Sequence, residues 1–177
     1  MEDRRILLSG SSGLIGRELK AHLEETGYTV VALRRSGEFE ETFPSYENTA
    51  ELEGALALIH LGGENISARR WSAAFKERLV LSRVRSTRYL VEKLEPLRQK
   101  PAVFLCASAV GVYGDRGEEL LTEKSAAGQG FLPELCSAWE EAAGQAEKFG
   151  IRTASLRFGV VLSSKGGALK KMLLPFK

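Results

Sequence analysis

Close to the N-terminus stands the run ILLSGSSGLIG, residues 6–16, in which a short apolar strand leads into three glycines spaced three apart. An amphipathic helix follows, because apolar residues recur at helical spacing at Leu14, Ile15, Leu19 and Leu23. A strand, a glycine-rich turn and a helix in this order can bind phosphate through the backbone alone, since the free N–H groups and the positive end of the helix dipole face the anion. The run therefore predicts a dinucleotide-binding unit.

Each of the three glycines has its own task in such a turn. Gly10 permits the tight turn off the strand, and Gly13 lets a pyrophosphate approach the main chain because it has no Cβ. Gly16 lets the helix pack closely on the sheet. We predict that these glycines, with Leu14 and Ile15 between them, belong to a cofactor site.

Strand and helix patterns alternate along the rest of the chain. Nearly continuous apolar runs predict buried strands at 29–33, 55–61, 102–108 and most of 152–162, with a break near Gly159. Helical patterns occupy 72–97 and 131–149. This alternation predicts an α/β fold, a Rossmann-like doubly wound parallel sheet with helices on both faces.

Polar segments connect these elements. Residues 36–50 indicate a loop with a short edge strand near Phe39, and 51–55 indicate a helical turn. Residues 109–130 are rich in glycine and indicate a long loop of the kind that carries function.

Composition excludes several classes of partner. The 177 residues carry 25 basic and 23 acidic side chains, a net charge of +2 that gives no reason to expect nucleic acid. No apolar run is long enough to span a bilayer, so no membrane partner is predicted. The two cysteines, Cys106 and Cys136, lack metal-site spacing, so no metal is predicted. Both fall in apolar patterns, which favours reduced thiols and a cytoplasmic location.

The second predicted strand ends in Arg34-Arg35. In dinucleotide-binding folds an acidic residue at this place receives the ribose 2′-OH of NAD, whereas an arginine accommodates the 2′-phosphate of NADP. Two guanidinium groups can hold a phosphate through charge-assisted hydrogen bonds. The pair therefore favours NADP, and the alternative is an exposed basic turn.

Further motifs carry a resemblance to a known family. They are HLGGENI at 60–66, Arg70-Trp71, Ser82-Arg83, SAVGVYG at 108–114 and Trp139-Glu140. With the glycine run, they resemble the atypical extended short-chain dehydrogenases of the NAD-dependent epimerase/dehydratase-like family, over essentially the whole chain. The resemblance implies NADP as cofactor and an oxidoreductase or epimerase activity on a small molecule. The implied cofactor contacts are Gly10, Gly13, Gly16, Arg34, Arg35, Leu61, Gly62, Arg83 and Val160, with Leu14, Ile15 and Gly63 beside them.

The resemblance also bears on domain organisation. Family members continue beyond the position of Phe176 into further strands and a smaller substrate lobe. We therefore expect residues 1–177 to form the NADP-binding Rossmann domain, with most of the substrate lobe missing from this chain.

The catalytic positions depart from the family pattern. Short-chain dehydrogenases use a Tyr-x-x-x-Lys helix, in which the lysine lowers the pKa of the tyrosine, and a Ser or Thr on the preceding strand. Here Cys136 stands in place of the tyrosine and Glu140 in place of the lysine, while Ser108 lies one residue before the usual Ser/Thr position. A Tyr89-x-x-x-Lys93 spacing exists, but it precedes the Ser108 strand and is interpreted as chance.

Ser108, Cys136 and Glu140 are therefore the catalytic candidates, each with a structural alternative. Cys136 is better explained as a small buried apolar residue, and Glu140 as an exposed helix charge or a structural partner. His60, at the end of a buried strand, is interpreted as a core histidine with its hydrogen bonds satisfied. Two functions stay open, namely an NADP-dependent oxidoreductase or epimerase and a non-catalytic NADP(H)-binding or regulatory module. The substrate stays unknown, and self-association into a homo-oligomer is compatible with the sequence.

Overall fold

The computed structural model describes residues 4–36 and 45–172. In the first half, the elements are β1 (Arg5–Ser9), α1 (Leu14–Glu25), β2 (Thr29–Leu33), β3 (Arg35–Ser36), β4 (Ser45–Tyr46), a 3₁₀ turn (Thr49–Leu52) and β5 (Ala57–His60). The predicted edge strand near Phe39 lies outside the described residues. The helical turn expected at 51–55 is the 3₁₀ turn that begins at Thr49.

The remaining elements belong to the second half of the chain. The elements are α2 (Ala73–Val80), a π-helical turn (Leu81–Arg85), α3 (Ser86–Leu94), β6 (Val103–Ala109), a 3₁₀ turn (Val110–Tyr113), α4 (Phe131–Gly144), a second 3₁₀ turn (Gln145–Phe149), β7 (Arg152–Phe158), β8 (Leu162–Ser163) and α5 (Gly167–Met172).

Five strands form one parallel sheet in the order β2-β1-β5-β6-β7. The chain moves outward from β1 in one direction to β2 and in the other to β5, β6 and β7, so the carboxyl ends of β1 and β5 lie side by side. Ser9 pairs with His60 at this end. This arrangement confirms the predicted Rossmann-like sheet, whose ligand crevice lies where the strand order reverses.

Alternate residues of the central strands supply two apolar faces. Leu7, Leu58 and Phe104 belong to a large buried cluster that includes side chains of α3 and α4. Ile6, Leu8, Ala57 and Ile59 form a second cluster, against which Leu19 and Leu23 of α1 pack. A sheet covered on both faces explains why its strands are continuously apolar in sequence.

One predicted helix is interrupted. The helical pattern of 72–97 is realised as α2 and α3, joined by the π-helical turn. At this turn the Ser86 hydroxyl donates to the Ser82 carbonyl oxygen at 2.7 Å, and the Thr87 hydroxyl donates to the Arg83 carbonyl oxygen at 2.7 Å. Such turns are frequent at functional sites, and this one lies beside the cleft described next.

Candidate functional site

The glycine turn joins β1 to α1 and leaves no room for side chains at two of its positions. Gly10 has a φ of +72°, and a Cβ there would lie 2.7 Å from the Leu61 carbonyl carbon. A Cβ on Gly16 would overlap the Gly10 carbonyl oxygen. Gly13 differs, because its φ is −71° and a Cβ would meet only the Gly10 carbonyl oxygen, at 3.2 Å. The fold itself therefore requires Gly10 and Gly16, whereas a Cβ at Gly13 would crowd the Gly10 carbonyl oxygen without overlapping it.

A cleft of about 720 Å³ lies over this turn, at the carboxyl ends of β1, β2 and β5. Its walls are the glycine turn, one face of α1, the end of β2 and the segments that follow β5. The lining residues are Gly10, Ser11, Ser12, Arg17, Lys20, Ala21, Glu24, Ala32, Leu33, Arg34, Arg35, Tyr46, Gly62, Gly63, Ser82 and Ser86. Gly10, Arg34, Arg35, Gly62 and Gly63, all predicted from the sequence, thus line one cleft.

Other predicted cofactor residues lie elsewhere. Leu14 and Ile15 line a smaller cleft of about 370 Å³, formed with the segment Val161–Lys165. Val160 is 76% exposed and lies outside the lining of both clefts. Leu61 is half-buried, and its backbone lies directly against Gly10.

Arg83 lies behind Gly63, between the cleft and helix α4. Its guanidinium donates to the Glu64 carbonyl oxygen at 2.9 Å and to the Ser82 hydroxyl at 3.2 Å, and it stacks 5.2 Å from the Trp139 ring centroid. Burial lowers the pKa of Arg83. The described contacts are thus neutral acceptors and an aromatic face, whereas the Glu64 carboxylate pairs with Arg78 at 3.6 Å.

The catalytic candidates Ser108 and Glu140 meet at the carboxyl end of β6. The Ser108 hydroxyl donates to Glu140 Oε1 at 2.5 Å. Arg157 of β7 grips the same carboxylate with two hydrogen bonds, from Nε to Oε1 at 2.8 Å and from Nη2 to Oε2 at 2.7 Å. Its Nη1 atom donates to the Tyr113 hydroxyl at 2.7 Å. Cys136 lies one helical turn before Glu140 and is buried against Val112 and Tyr113.

The charges of this cluster are determined by these contacts. Burial raises the pKa of the Glu140 carboxyl, but the hydrogen bonds from Arg157 and Ser108 outweigh burial and hold the pKa below its usual value. Burial raises the pKa of the Cys136 thiol, and the nearby Glu140 charge raises it further. At neutral pH the Glu140 carboxyl is therefore ionised and the Cys136 thiol keeps its proton.

The interpretation of His60 as a core residue is confirmed. Its ring is fully buried and is hydrogen-bonded to the hydroxyls of Ser9 and Ser86. Burial lowers the pKa of His60 to about 3, so the ring is neutral at physiological pH. Because Ser9 also accepts a hydrogen bond from the Gly62 N–H, at 3.3 Å, His60 supports the floor of the cleft.

Sequence reasoning missed Arg157 and the cleft-lining side chains of α1. Arg157 had a signal, because it is a single charged residue within the otherwise uncharged strand segment 153–158. Arg17, Lys20 and Glu24 resemble any solvated helix face in sequence, and only the packing of α1 beside β2 assigns them to the cleft.

Neither a metal site nor a membrane-spanning helix is found within residues 4–36 and 45–172. No group of three or more His, Cys, Asp or Glu side chains in these ranges could hold a metal ion. No helix in the same ranges is long and apolar enough to cross a membrane.

The sheet order and the glycine turn define a Rossmann-like domain of the dehydrogenase and epimerase type. The profile of the NAD dependent epimerase/dehydratase family matches residues 6–168, and the chain belongs to this family. An epimerase family protein of Mycobacterium bovis is 38% identical over 178 residues, a match that covers 97% of this chain and 58% of that protein. Bacillus subtilis epimerase family protein YfhF is 35% identical over 182 residues, covering 97% and 59%. The chain thus spans well under two thirds of the length of these relatives.

Solved structures similar to this chain include proteins described as epimerases. The crystal structure of a nucleoside-diphosphate sugar epimerase from Corynebacterium glutamicum is similar with a TM-score of 0.80 and 37% identity, covering 97% of this chain and 37% of that one. The human epimerase family protein SDR39U1 (isoform 2), solved with NADPH, has a TM-score of 0.80 and 29% identity, covering 97% and 59%. UDP-glucuronic acid 4-epimerase from Bacillus cereus, solved with NAD, has a TM-score of 0.69 at 18% identity and shows the shared fold alone.

Proposed function

We propose that residues 1–177 form the NADP(H)-binding domain of an oxidoreductase or epimerase that acts on a small molecule. The observation that carries this proposal is the meeting of the glycine turn and Arg34-Arg35 in one cleft. The human relative solved with NADPH supports it. Both cysteines are free and buried, which fits a reducing compartment, and on this ground we propose a cytoplasmic location.

The residues of the cleft fit a dinucleotide with a 2′-phosphate. Because Gly13 carries no Cβ, a pyrophosphate would approach the main chain at the N-terminus of α1, where the backbone N–H groups and the helix dipole favour an anion. Arg34 and Arg35, at the end of β2, would hold the 2′-phosphate. When bound, the nicotinamide supplies hydride transfer.

The proton chemistry that we expect of this chain differs from the tyrosine–lysine relay of ordinary short-chain dehydrogenases. Ser108 donates its only hydroxyl proton to Glu140, so its oxygen can only accept a hydrogen bond from a ligand. Arg157 keeps Glu140 ionised, and Cys136 keeps its proton. These side chains orient one another instead of forming the tyrosine–lysine proton relay.

The hydrogen bonding among Ser108, Glu140 and Arg157 also favours a second candidate function. A non-catalytic NADP(H)-binding or regulatory module needs the nucleotide cleft but no proton relay. The ion pair between Glu140 and Arg157 then stabilises the domain and takes no part in a reaction.

Binding measurements test the cofactor assignment. The dissociation constants of NADPH and NADH, measured by calorimetry, are expected to differ by about tenfold to a hundredfold, because charge-assisted bonds to the 2′-phosphate are worth about 1.5–3 kcal/mol. Arg34→Ala with Arg35→Ala should remove this preference and spare the affinity for NADH.

The matched control removes two positive charges from residues outside the cleft lining. Arg88 on α3 and Arg152 at the start of β7 are both exposed and do not line it. Arg88→Ala with Arg152→Ala should keep the preference for NADPH. Equal dissociation constants for the two cofactors in the unmodified protein would contradict the assignment.

A further inference from the structure

Arg35 belongs to a second sheet of two short strands, β3 and β4, that follows β2. In this antiparallel pair Arg35 stands directly opposite Tyr46. The Glu47 N–H also donates to the Arg34 carbonyl oxygen, at 2.8 Å. Residues directly opposite each other in an antiparallel pair carry their side chains on the same face, with Cβ atoms about 4.5–5.5 Å apart. Tyr46 is therefore the neighbour of Arg35 across the pair, and both residues line the nucleotide cleft.

The pairing of β3 with β4 is too short to hold its own position. Each strand contributes two residues, and even a longer isolated two-stranded hairpin is only marginally stable in water. The place of the Arg35 backbone relative to the glycine turn therefore depends on the contacts between this pair and the rest of the domain.

Tyr46 makes such contacts with α3 and with the floor of the cleft. It is only 8% exposed, and its ring centroid lies 6.3 Å from that of Tyr89 and 6.0 Å from that of His60. Its hydroxyl is hydrogen-bonded with those of Ser86 and Ser9. Burial raises the pKa of Tyr46, so the phenol keeps its proton at neutral pH. The ring and the hydroxyl together anchor β4.

The Tyr46 hydroxyl also lies against the segment that follows β5. A Cβ at Gly62 would lie 2.9 Å from the Tyr46 hydroxyl oxygen and 3.3 Å from the Ser9 hydroxyl oxygen. Ser9 is the last residue of β1 and directly precedes Gly10 of the glycine turn. Tyr46 therefore links the strand pair that carries Arg35 to the strand that enters the glycine turn.

We propose that Tyr46 is a positioning residue for cofactor selection, which holds Arg35 where it can reach the 2′-phosphate of a nucleotide bound at the glycine turn. This role rests on the proposed function, in which the cleft takes NADP(H). Its physical basis is preorganisation, because a cation that is already held in place loses less conformational freedom when it binds the phosphate. Loss of the Tyr46 hydroxyl therefore weakens the contact with the 2′-phosphate more than the contacts with the rest of the nucleotide.

Adenosine 2′,5′-bisphosphate and 5′-AMP differ only in the 2′-phosphate and isolate this effect. Tyr46→Phe keeps the ring and removes the hydroxyl. Calorimetry should show that this change weakens binding of the bisphosphate about threefold to tenfold, the value of one hydrogen bond, and alters binding of 5′-AMP less than about twofold. Tyr89→Phe is the matched control, because it removes a hydroxyl from the neighbouring ring, outside the cleft lining. It should leave both affinities unchanged.

A double-mutant cycle tests whether Tyr46 acts through Arg35. Arg35→Ala should weaken binding of the bisphosphate on its own. Adding Tyr46→Phe to this variant should weaken that binding no further, because no guanidinium is left at residue 35 to be positioned. Additive effects of the two changes would overturn the proposal.

The outcomes separate the role of Tyr46 from the cofactor assignment. If the unmodified protein binds both nucleotides equally, the proposed function and the role of Tyr46 fall together. If it prefers the bisphosphate and Tyr46→Phe keeps that preference in full, only the role of Tyr46 is overturned. Equal weakening of both ligands by Tyr46→Phe would show a purely structural role and would also overturn it.

Discussion

Replacing Arg157 with methionine removes the cation that grips Glu140 and leaves a partly buried carboxylate behind. The variant loses two charge-assisted hydrogen bonds to Glu140 and the bond to the Tyr113 hydroxyl. Breaking a fully buried pair by removing one partner costs about 3–5 kcal/mol. The Arg157 and Glu140 side chains are 24% and 17% exposed, so solvent screens the remaining charge in part. We expect Arg157→Met to lower the free energy of unfolding by about 2–3 kcal/mol at pH 7.5.

The loss of unfolding free energy caused by Arg157→Met depends on pH. In the unmodified protein the folded pKa of Glu140 is lowered, so the stability that this group contributes is present above its unfolded pKa and is lost as the pH falls through the folded pKa. In the variant only the Ser108 hydrogen bond still opposes burial, so the pKa of Glu140 is higher than in the unmodified protein. As the pH falls, protonation of Glu140 removes the unpaired charge, and the loss of stability in the variant becomes smaller. The difference between the two proteins should therefore be largest near neutrality and narrow towards pH 4.5.

Urea unfolding at pH 7.5 and pH 4.5 measures both effects, and a double variant tests their cause. Arg157→Met with Glu140→Gln carries no unpaired charge and should be only about 1 kcal/mol less stable than the unmodified protein. Lys165→Met, which breaks an exposed ion pair with Glu18, should leave the unfolding curve unchanged. A double variant as unstable as Arg157→Met alone would refute the reasoning.

Three further predictions concern the cleft, its support and its chemistry. Gly13→Val should abolish dinucleotide binding in a folded domain while Gly16→Ala unfolds at lower urea concentration, because a Cβ at residue 13 would lie 3.2 Å from one carbonyl oxygen whereas one at residue 16 overlaps the backbone; normal NADPH binding by Gly13→Val in a titration would make its glycine a purely structural feature. The pKa of His60 is lower in the folded than in the unfolded protein, so this residue stabilises the folded state most above its unfolded pKa of about 6.5. The free energy of unfolding should therefore fall by about 1 kcal/mol from pH 7 to pH 5.5. His60→Gln should make the free energy of unfolding less dependent on pH in the same urea series. The 177-residue chain should not turn over alcohol or nucleotide-sugar substrates at a useful rate, since helix α4 lacks the tyrosine–lysine pair, which is worth about 10²–10⁴ in rate; steady NADPH consumption in an absorbance assay, lost in Cys136→Ala, would instead make Cys136 a catalytic acid.

The structure also changes how the tyrosine–lysine pair would have to be restored. Cys136→Tyr with Glu140→Lys places an ammonium where Arg157 already holds its guanidinium. Two neighbouring cations repel each other, and Ser108 loses its acceptor. A restored relay therefore requires a neutral residue at 157 as well.

The sequence by itself determined the Rossmann-like sheet and the phosphate turn. Residues 6–16 suffice to predict the turn, because the strand, the glycines and the start of the helix lie within one short segment. The residue types of each part indicate its backbone conformation. The continuous apolar runs at 29–33 and 102–108 indicate a parallel sheet for an equally local reason, since strands buried on both faces need no polar alternation. The expectation that Glu140 stands in place of a lysine rests on the same kind of local signal, a residue type at a fixed spacing.

Only the tertiary structure decided what surrounds these features. Ser108, Glu140 and Arg157 come from β6, α4 and β7, and their meeting depends on the register that pairs Ser108 with Arg157 and on the rotation of α4 over the sheet. The α1 side chains became cleft residues in the same way, through the packing of that helix beside β2. A contact between distant segments leaves no periodic trace in either of them, because each segment satisfies its own pattern whichever partner it meets.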